Sequence, residues 1–371
     1  MIARAISHKR IAIVIDSLSG GGAEKVMLTL AKGLQARGHE PHLLVLEPAV
    51  EHEVPVDIPL HFCFGANEHN LDSFWRLNGT VAKLKNFLTQ LQQNIGRFDL
   101  FLSNLHQTNL LMTRTGVSPL YCVVHNSMDE ELKRQRKLGP IAWLEMWRAQ
   151  KALNGQHLIA VSEGVADELR QSTRIMPASV TTIYNPFALA EIRAQAELIP
   201  EDLPKGDYLI HVGRFARQKR HDVLFAALKQ MQHNLPLILL CSNRKKAQKA
   251  ITKLGLQQRV IVAGFQQNPF PWIKHARALV LSSDYEGFGN VLLEALALGT
   301  PAISTACPHG PTEILTGNLA QWLVPRRDPV ALAKKLDQLL DSKPDVTDAE
   351  ILSKVNLDTI VQQYLALTAD E

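Results

Sequence analysis

The sequence predicts an α/β protein made of two doubly wound, Rossmann-like halves facing each other across a cleft. Three observations carry this. Short apolar runs alternate with helical periods twice along the chain, the pattern of parallel sheets with helices on both faces. A polar, proline-punctuated stretch from Ala188 to Gly206 separates the two series. At 371 residues the chain exceeds one typical core, so two domains are expected.

The first series opens with the run Ile11 to Ile15, a glycine turn, and a helix from about Ala23 to Arg37. Ala23, Met27, Leu30 and Leu34 form its buried stripe, and Gly38 is its C-cap. His42 to Leu46, Leu100 to Ser103, Tyr121 to Val124 and His157 to Val161 read as later strands. The second series begins at Tyr208 to Val212. It continues through Leu237 to Cys241, Val260 to Ala263, Leu279 to Ser282 and Ala302 to Thr305. A last helix runs from about Asp358 to Leu367, with Ile360, Tyr364 and Leu367 apolar. The expected domains are 1–187, joined by a returning helix at about 356–371, and 188–355. Ligands of such folds bind where the strand C-termini point.

Composition narrows the function class. A hydrophobic content of 46% and a charged content of 20% are ordinary for a globular chain. The net charge of +4 balances 40 bases against 36 acids and does not point to nucleic acid. Cys63, Cys122, Cys241 and Cys307 lack CxxC spacing and read as packed thiols of a cytosolic protein. The run Ile11 to Ile15 is too short for a signal peptide, and no stretch approaches a membrane span. No DxD pair, HExxH or Cys/His cluster occurs, so no metal is expected. The absence of Gly-x-Ser-x-Gly counts against a hydrolase elbow.

The most informative stretch is Asp284-Tyr-Glu-Gly-Phe-Gly-Asn-Val-Leu-Leu-Glu-Ala-Leu-Ala-Leu-Gly-Thr-Pro-Ala-Ile-Ser304. It reads as a strand end, a glycine-broken turn at Gly287 and Gly289, a helix ending at Gly299, and the next strand. Glu286 stands just before the helix, and Glu294 stands about two turns later. The helix N-terminus offers free N–H groups to a phosphate or a polyhydroxyl ligand. This stretch resembles the E-x7-E signature of retaining nucleotide-sugar glycosyltransferases of the GT-B fold (glycosyltransferase family 4, group 1), with E-G-F-G, LLEA and G-T-P all in place. The resemblance implies that Glu286 meets the donor sugar and Glu294 the nucleotide ribose. It places Gly287, Phe288, Gly289 and Asn290 at the same donor.

Further motifs extend the resemblance over nearly the whole chain. Gly213-Arg-Phe-Ala-Arg-Gln-Lys219 follows the first strand of the second half. Transfer from a nucleoside diphosphate sugar needs positive charge at the departing diphosphate. The family's G-R-x-x-x-x-K pattern implies that role for Arg214 and Lys219. The loop from Ser19 through Gly20, Gly21 and Gly22 to Glu24 is neither a Walker loop nor GxGxxG. The family places it over the cleft, which implies donor contacts from Gly21 and Gly22. His125 follows a strand where the family carries a histidine near the donor sugar, implying a hydrogen bond to a sugar hydroxyl. Ser162 reads as a helix cap. The loop Thr305 to Glu313 would border the donor. Ser242 to Lys246 departs from the family's glycine-rich turn there, and leaves the nucleotide base unassigned.

Lys133, Arg134, Arg136, Lys137, Trp143, Trp147, Arg148 and Lys151 form a basic amphipathic stretch with its tryptophans on one face. It suits either an anionic inner leaflet or a packed surface helix. The expectation is a retaining, metal-independent glycosyltransferase, cytoplasmic or peripheral on the inner membrane. It would take a UDP-sugar and a lipid-linked or polysaccharide acceptor of bacterial glycan synthesis. The alternatives are a GT-B sugar-nucleotide epimerase or hydrolase, and a non-catalytic scaffold that binds nucleotide sugar.

Overall fold

The computed structural model describes residues 8–19, 21–342, 344–346 and 349–368. Gly20 of the glycine loop and residues 369–371 of the expected last helix lie outside the described residues. The chain divides into two compact units, one of Met1–Phe187 with Leu357–Glu371, the other Ala188–Asn356.

The first unit is a seven-stranded parallel sheet. Its strands are β1 (Arg10–Ile15), β2 (Glu40–Val45), β3 (Leu60–Phe62), β4 (Leu100–Asn104), β5 (Leu120–Val124), β6 (His157–Ala160) and β7 (Ser179–Thr182), in the order β3-β2-β1-β4-β5-β6-β7. Ile11 to Ile15 are fully buried, because helices cover both faces of a parallel sheet and leave no polar side. The Gly22–Ala36 helix lays Met27, Leu30 and Leu34 on the core, while Ala23 is only half-buried. A Schellman motif ends it: Gly38 (φ 79°) donates to Gln35 O and His39 donates to Leu34 O. The Leu357–Ala366 helix returns to this unit. It approaches the first helix so closely that a Cβ on Gly33 would meet Leu357 Cδ1 at 2.7 Å.

The second unit repeats the plan in six strands: β8 (Leu209–Val212), β9 (Leu237–Leu240), β10 (Val260–Val262), β11 (Ala278–Leu281), β12 (Ala302–Thr305) and β13 (Leu323–Val324). Their order is β10-β9-β8-β11-β12-β13, all parallel. In each unit the strand order reverses once, between β1 and β4 and between β8 and β11. Crevices for ligands open beyond the carboxyl ends of those strands.

Three readings from sequence change. β3, β7 and β13 were not anticipated, because they are edge strands of two to four residues without a continuous apolar run. The stretch read as a linker contains a helix, Leu189–Gln195, held by Arg193 Nε donating to Ala297 O and by Asn268 donating to Gln195 O. The basic amphipathic stretch is two helices, Met128–Leu138 and Pro140–Lys151, broken at Gly139. Gly139 has φ 128°, and Pro140 begins the second helix where its missing N–H costs nothing.

Candidate active site

The reversal between β8 and β11 gathers the chemistry of the second unit. After β8 the chain passes Gly213 and the exposed Arg214, then makes a 3-10 turn at Arg217–Lys219. After β11 it passes Ser282, Ser283 and Asp284 to Glu286. Backbone and amide bonds stitch the two loops together. Asp284 N–H donates to Gln218 O at 2.8 Å, and Gln218 Nε2 donates to Tyr285 O at 2.8 Å. Ser282 Oγ donates to Lys219 O at 2.8 Å.

This stitching brings Lys219 Nζ to within 2.7 Å of Glu286 Oε1, with side chains only 14% and 9% exposed. Ser283 Oγ donates to the same oxygen at 2.5 Å. Oε2 takes no hydrogen bond among the described residues, so one lone-pair face of the carboxylate stays available. Glu286 and Glu294 are both buried, so neither is an ordinary solvated surface carboxylate. Beneath the pair, His211 donates from Nδ1 to Val280 O, and His221 meets His211 edge-on and Phe215 at a tilt. Burial lowers both imidazoles, to about 4 and about 2, so neutral rings floor the site. Burial likewise pushes the Cys307 thiol up to about 12, leaving it no thiolate for nucleophilic work.

Backbone geometry shapes the turn itself. Gly289 (φ 98°) caps the Asn290–Ala297 helix, and Phe288 is buried. Gly310 (φ 73°) lies so close that a Cβ there would fall 1.7 Å from Phe288 O. The Thr305 to Glu313 loop therefore backs the E-G-F-G turn, and Pro308 O accepts from Glu286 N–H. Glu294 is the fifth residue of the helix. In place of the glycine-rich turn, Asn243 caps the Arg244–Lys253 helix by accepting from Lys246 N–H.

In the first unit, Asn104 at the end of β4 donates to Val14 O and Leu102 O, which turns its Oδ1 toward His125. His125 Nε2 donates to that oxygen at 2.9 Å. Its Nδ1 is then the acceptor of a ring that burial, with His106 adding, lowers to about 4. A neutral acceptor fits a hydroxyl donor better than it fits a base working near pH 7. Asp16, just past β1, accepts from Thr108 N–H at 2.8 Å, and burial pushes its carboxyl up to about 7. At the glycine loop, a Cβ on Gly21 would fall 1.9 Å from Glu24 Oε2. The protein's own Glu24 carboxylate thus packs beside Gly21, one of the two glycines from which donor contacts were expected. Ser162 caps its helix, accepting from Val165 N–H.

Asn104, Asp16, Gln218, Ser283 and Asp284 were not singled out from sequence. Each follows or ends a strand beside the reversal of its sheet, and that position was their only signal. Among the described residues, His, Cys, Asp and Glu side chains do not gather in threes as a metal site needs, and no helix is long and apolar enough to cross a membrane.

Comparison with known proteins follows the same division. The family described as Glycosyl transferases group 1 matches residues 196–353, and Glycosyltransferase Family 4 matches residues 20–191. A Campylobacter jejuni protein, N-acetylgalactosamine-N,N'-diacetylbacillosaminyl-diphospho-undecaprenol 4-alpha-N-acetylgalactosaminyltransferase, is 26% identical over 313 residues, spanning 82% of this chain and 83% of that protein. The lipopolysaccharide 1,6-galactosyltransferase of Salmonella typhimurium is 32% identical over 169 residues, spanning 43% and 46%. The fold is shared with Anabaena HepE, solved with UDP-glucose, at a TM-score of 0.76 and 19% identity over 98% of this chain and 100% of that one.

Proposed function

Because the chain belongs to the glycosyltransferases that these two family descriptions cover, we propose that it is a retaining transferase moving a hexosyl or N-acetylhexosaminyl group from a UDP-sugar to a hydroxyl of a lipid-linked or polysaccharide acceptor. The observation that carries the reading is the buried Lys219–Glu286 pair at the β8/β11 reversal, with exposed Arg214 on the same loop. The relatives named for work on undecaprenol diphosphate and lipopolysaccharide support the acceptor class.

The roles follow from charge. Arg214 and Lys219 face the diphosphate, where negative charge grows as the bond from the anomeric carbon to the β-phosphate oxygen breaks. The acceptor oxygen bonds to that carbon on the same face, and its proton passes to the departing diphosphate. Glu286, anchored through Oε1, turns Oε2 to the sugar. Gly287, Phe288, Gly289 and Asn290 shape the turn around it. Glu294 takes the ribose hydroxyls. In the first unit, the neutral acceptor Nδ1 of His125 suits a sugar hydroxyl. Lysine and arginine supply the counter-charge, so the transfer needs no metal ion.

The protein works on the cytoplasmic face of the membrane. The two-helix segment exposes Leu138, Ile141 and Leu144, with Trp143 and Trp147 each 37% exposed. Phe74 lies under Arg148, and beside it Trp75 is 91% exposed, so a second segment joins this apolar surface. Its charge is milder than the stretch alone suggests, because Lys133 pairs with Glu130 and Arg134 with Glu131.

A thermal-shift panel of UDP-glucose, UDP-galactose, UDP-GlcNAc and UDP-GalNAc tests the donor. Transfer of the stabilising sugar to an undecaprenyl-diphosphate saccharide, with and without EDTA, tests the rest. No shift with any UDP-sugar overturns the donor. Equal UDP release without acceptor favours a hydrolase, and loss of transfer in EDTA overturns metal independence.

A further inference from the structure

We propose that Asp284 is a positioning residue for the transfer, a clamp that holds Lys219 and Glu286 in register by binding three loops at once. The inference rests on the donor site proposed above.

Asp284 stands two residues before Glu286. Its carboxylate accepts a two-pronged bond from Arg327, Nε to Oδ1 at 2.8 Å and Nη2 to Oδ2 at 2.9 Å. Arg220, the neighbour of Lys219, directs Nη1 to both oxygens at 3.3 Å. Arg220 is itself aimed by Asp222, which accepts from its Nε and Nη2 at 2.8 and 2.7 Å. The backbone of Asp284 is held as well: its carbonyl accepts from Arg326 Nη1 at 2.9 Å, and its N–H donates to Gln218 O. One residue thus joins the loops after β8, β11 and β13.

Two features separate this from an ordinary surface ion pair. The carboxylate is only 15% exposed, and although burial opposes its charge, the arginines hold its carboxyl below the usual range. Both arginines are also held in the left-handed region, Arg220 at φ 48° and Arg327 at φ 60°. Side chains other than glycine adopt that conformation at a cost, and it persists where the surroundings over-determine it. Here both unfavourable turns deliver a guanidinium to the same carboxylate. A displacement of Glu286 or Lys219 by about 1 Å costs a transferase on the order of a hundredfold in rate.

The test uses the whole chain and UDP release at saturating undecaprenyl-diphosphate saccharide, from whichever UDP-sugar stabilises it most. Asp284→Asn is expected to lower kcat about tenfold to a hundredfold with the Kd for UDP nearly unchanged. Arg327→Lys, which keeps the charge and loses the fork, is expected to fall between it and the parent. The deciding measurement is the double substitution with Glu286→Gln. If Asp284 acts through Glu286, adding Asp284→Asn to Glu286→Gln removes little further rate. Multiplicative losses, or an unchanged kcat in Asp284→Asn, overturn the clamp. If Asp284→Asn does not fold, Arg327→Lys carries the same cycle from an exposed side chain. Normal turnover of Glu286→Gln alone refutes the donor site instead, and the clamp falls with it.

Discussion

Replacing Lys219 by Met tests whether the Lys219–Glu286 pair is a single electrostatic unit. The methionine keeps the aliphatic stem and removes the ammonium, so packing under the loop changes little. What remains is Glu286 with Oε1 held by Ser283 alone, in a site where the carboxylate is 9% exposed. Removing one partner of a buried pair costs roughly 3–5 kcal/mol, because the other charge is left uncompensated. The surviving serine bond argues for the lower end, about 3 kcal/mol. In a domain of this size each kcal/mol lowers the melting midpoint by about 2–4 °C, so a fall of about 6–12 °C is expected by scanning calorimetry. Adding Glu286→Gln to Lys219→Met removes the stranded charge, and most of the lost stability should return. Turnover should not return, since the diphosphate has lost one of its two cations and the sugar its carboxylate. Stability and catalysis are thereby pulled apart in one pair of variants. A fall below about 1 °C in Lys219→Met, or additive falls in the double variant, would refute the reasoning.

Other outcomes are expected at sites with different physics. Glu294→Ala should weaken UDP binding by roughly 1.5–3 kcal/mol, while Glu286→Ala chiefly lowers kcat; equal losses of UDP affinity would reverse the assignment. Gly310→Ala should destabilise by about 3 kcal/mol or more, because its Cβ meets the Phe288 carbonyl. The control Gly317→Ala, also at positive φ but in open space, should cost only about 1–2 kcal/mol, and similar melting points for the two would contradict the packing. Asp16 binds its proton more tightly in the folded state than in the unfolded one, so its contribution to stability falls as pH rises from about 4 through about 7. The melting midpoint of Asp16→Asn should therefore drop less between pH 5 and pH 8 than the parent's, and parallel curves would show that the burial is not felt. Binding to anionic vesicles should weaken with salt, because each base near the surface contributes about 1 kcal/mol, and should weaken further on replacing Trp75 and Trp147 by Ser; no binding at low salt would leave the surface to another partner.

Much of the fold was legible because parallel strands covered on both faces must be apolar throughout. Ile11 to Ile15 and Leu237 to Leu240 announce themselves as unbroken runs, and the structure buries all of them. The edge strands escaped for the converse reason. Ser179–Thr182 pairs on one side only, so nothing forces its sequence to be apolar. The basic stretch misled as a single segment because composition does not register the break at Gly139 or the acids Glu130 and Glu131 one turn away.

The site divides the same way. The amino-acid sequence by itself determined which residues are the candidates for chemistry: Glu286 before a glycine turn, Glu294 in the helix that follows, and Arg214 and Lys219 behind a strand. Those are local patterns, written within a dozen residues. Only the tertiary structure decided which groups meet. Lys219 reaches Glu286 across 67 positions, Arg327 reaches Asp284 across 43, and His125 reaches Asn104 across 21. Each of those meetings depends on strand order: β8 beside β11 sets Lys219 by Glu286, β13 one strand beyond β12 brings Arg327 to Asp284, and β4 beside β5 sets His125 by Asn104. Spacing along the chain encodes helix and strand periods, but charge pairing depends on distance in space, which the packed sheet alone supplies.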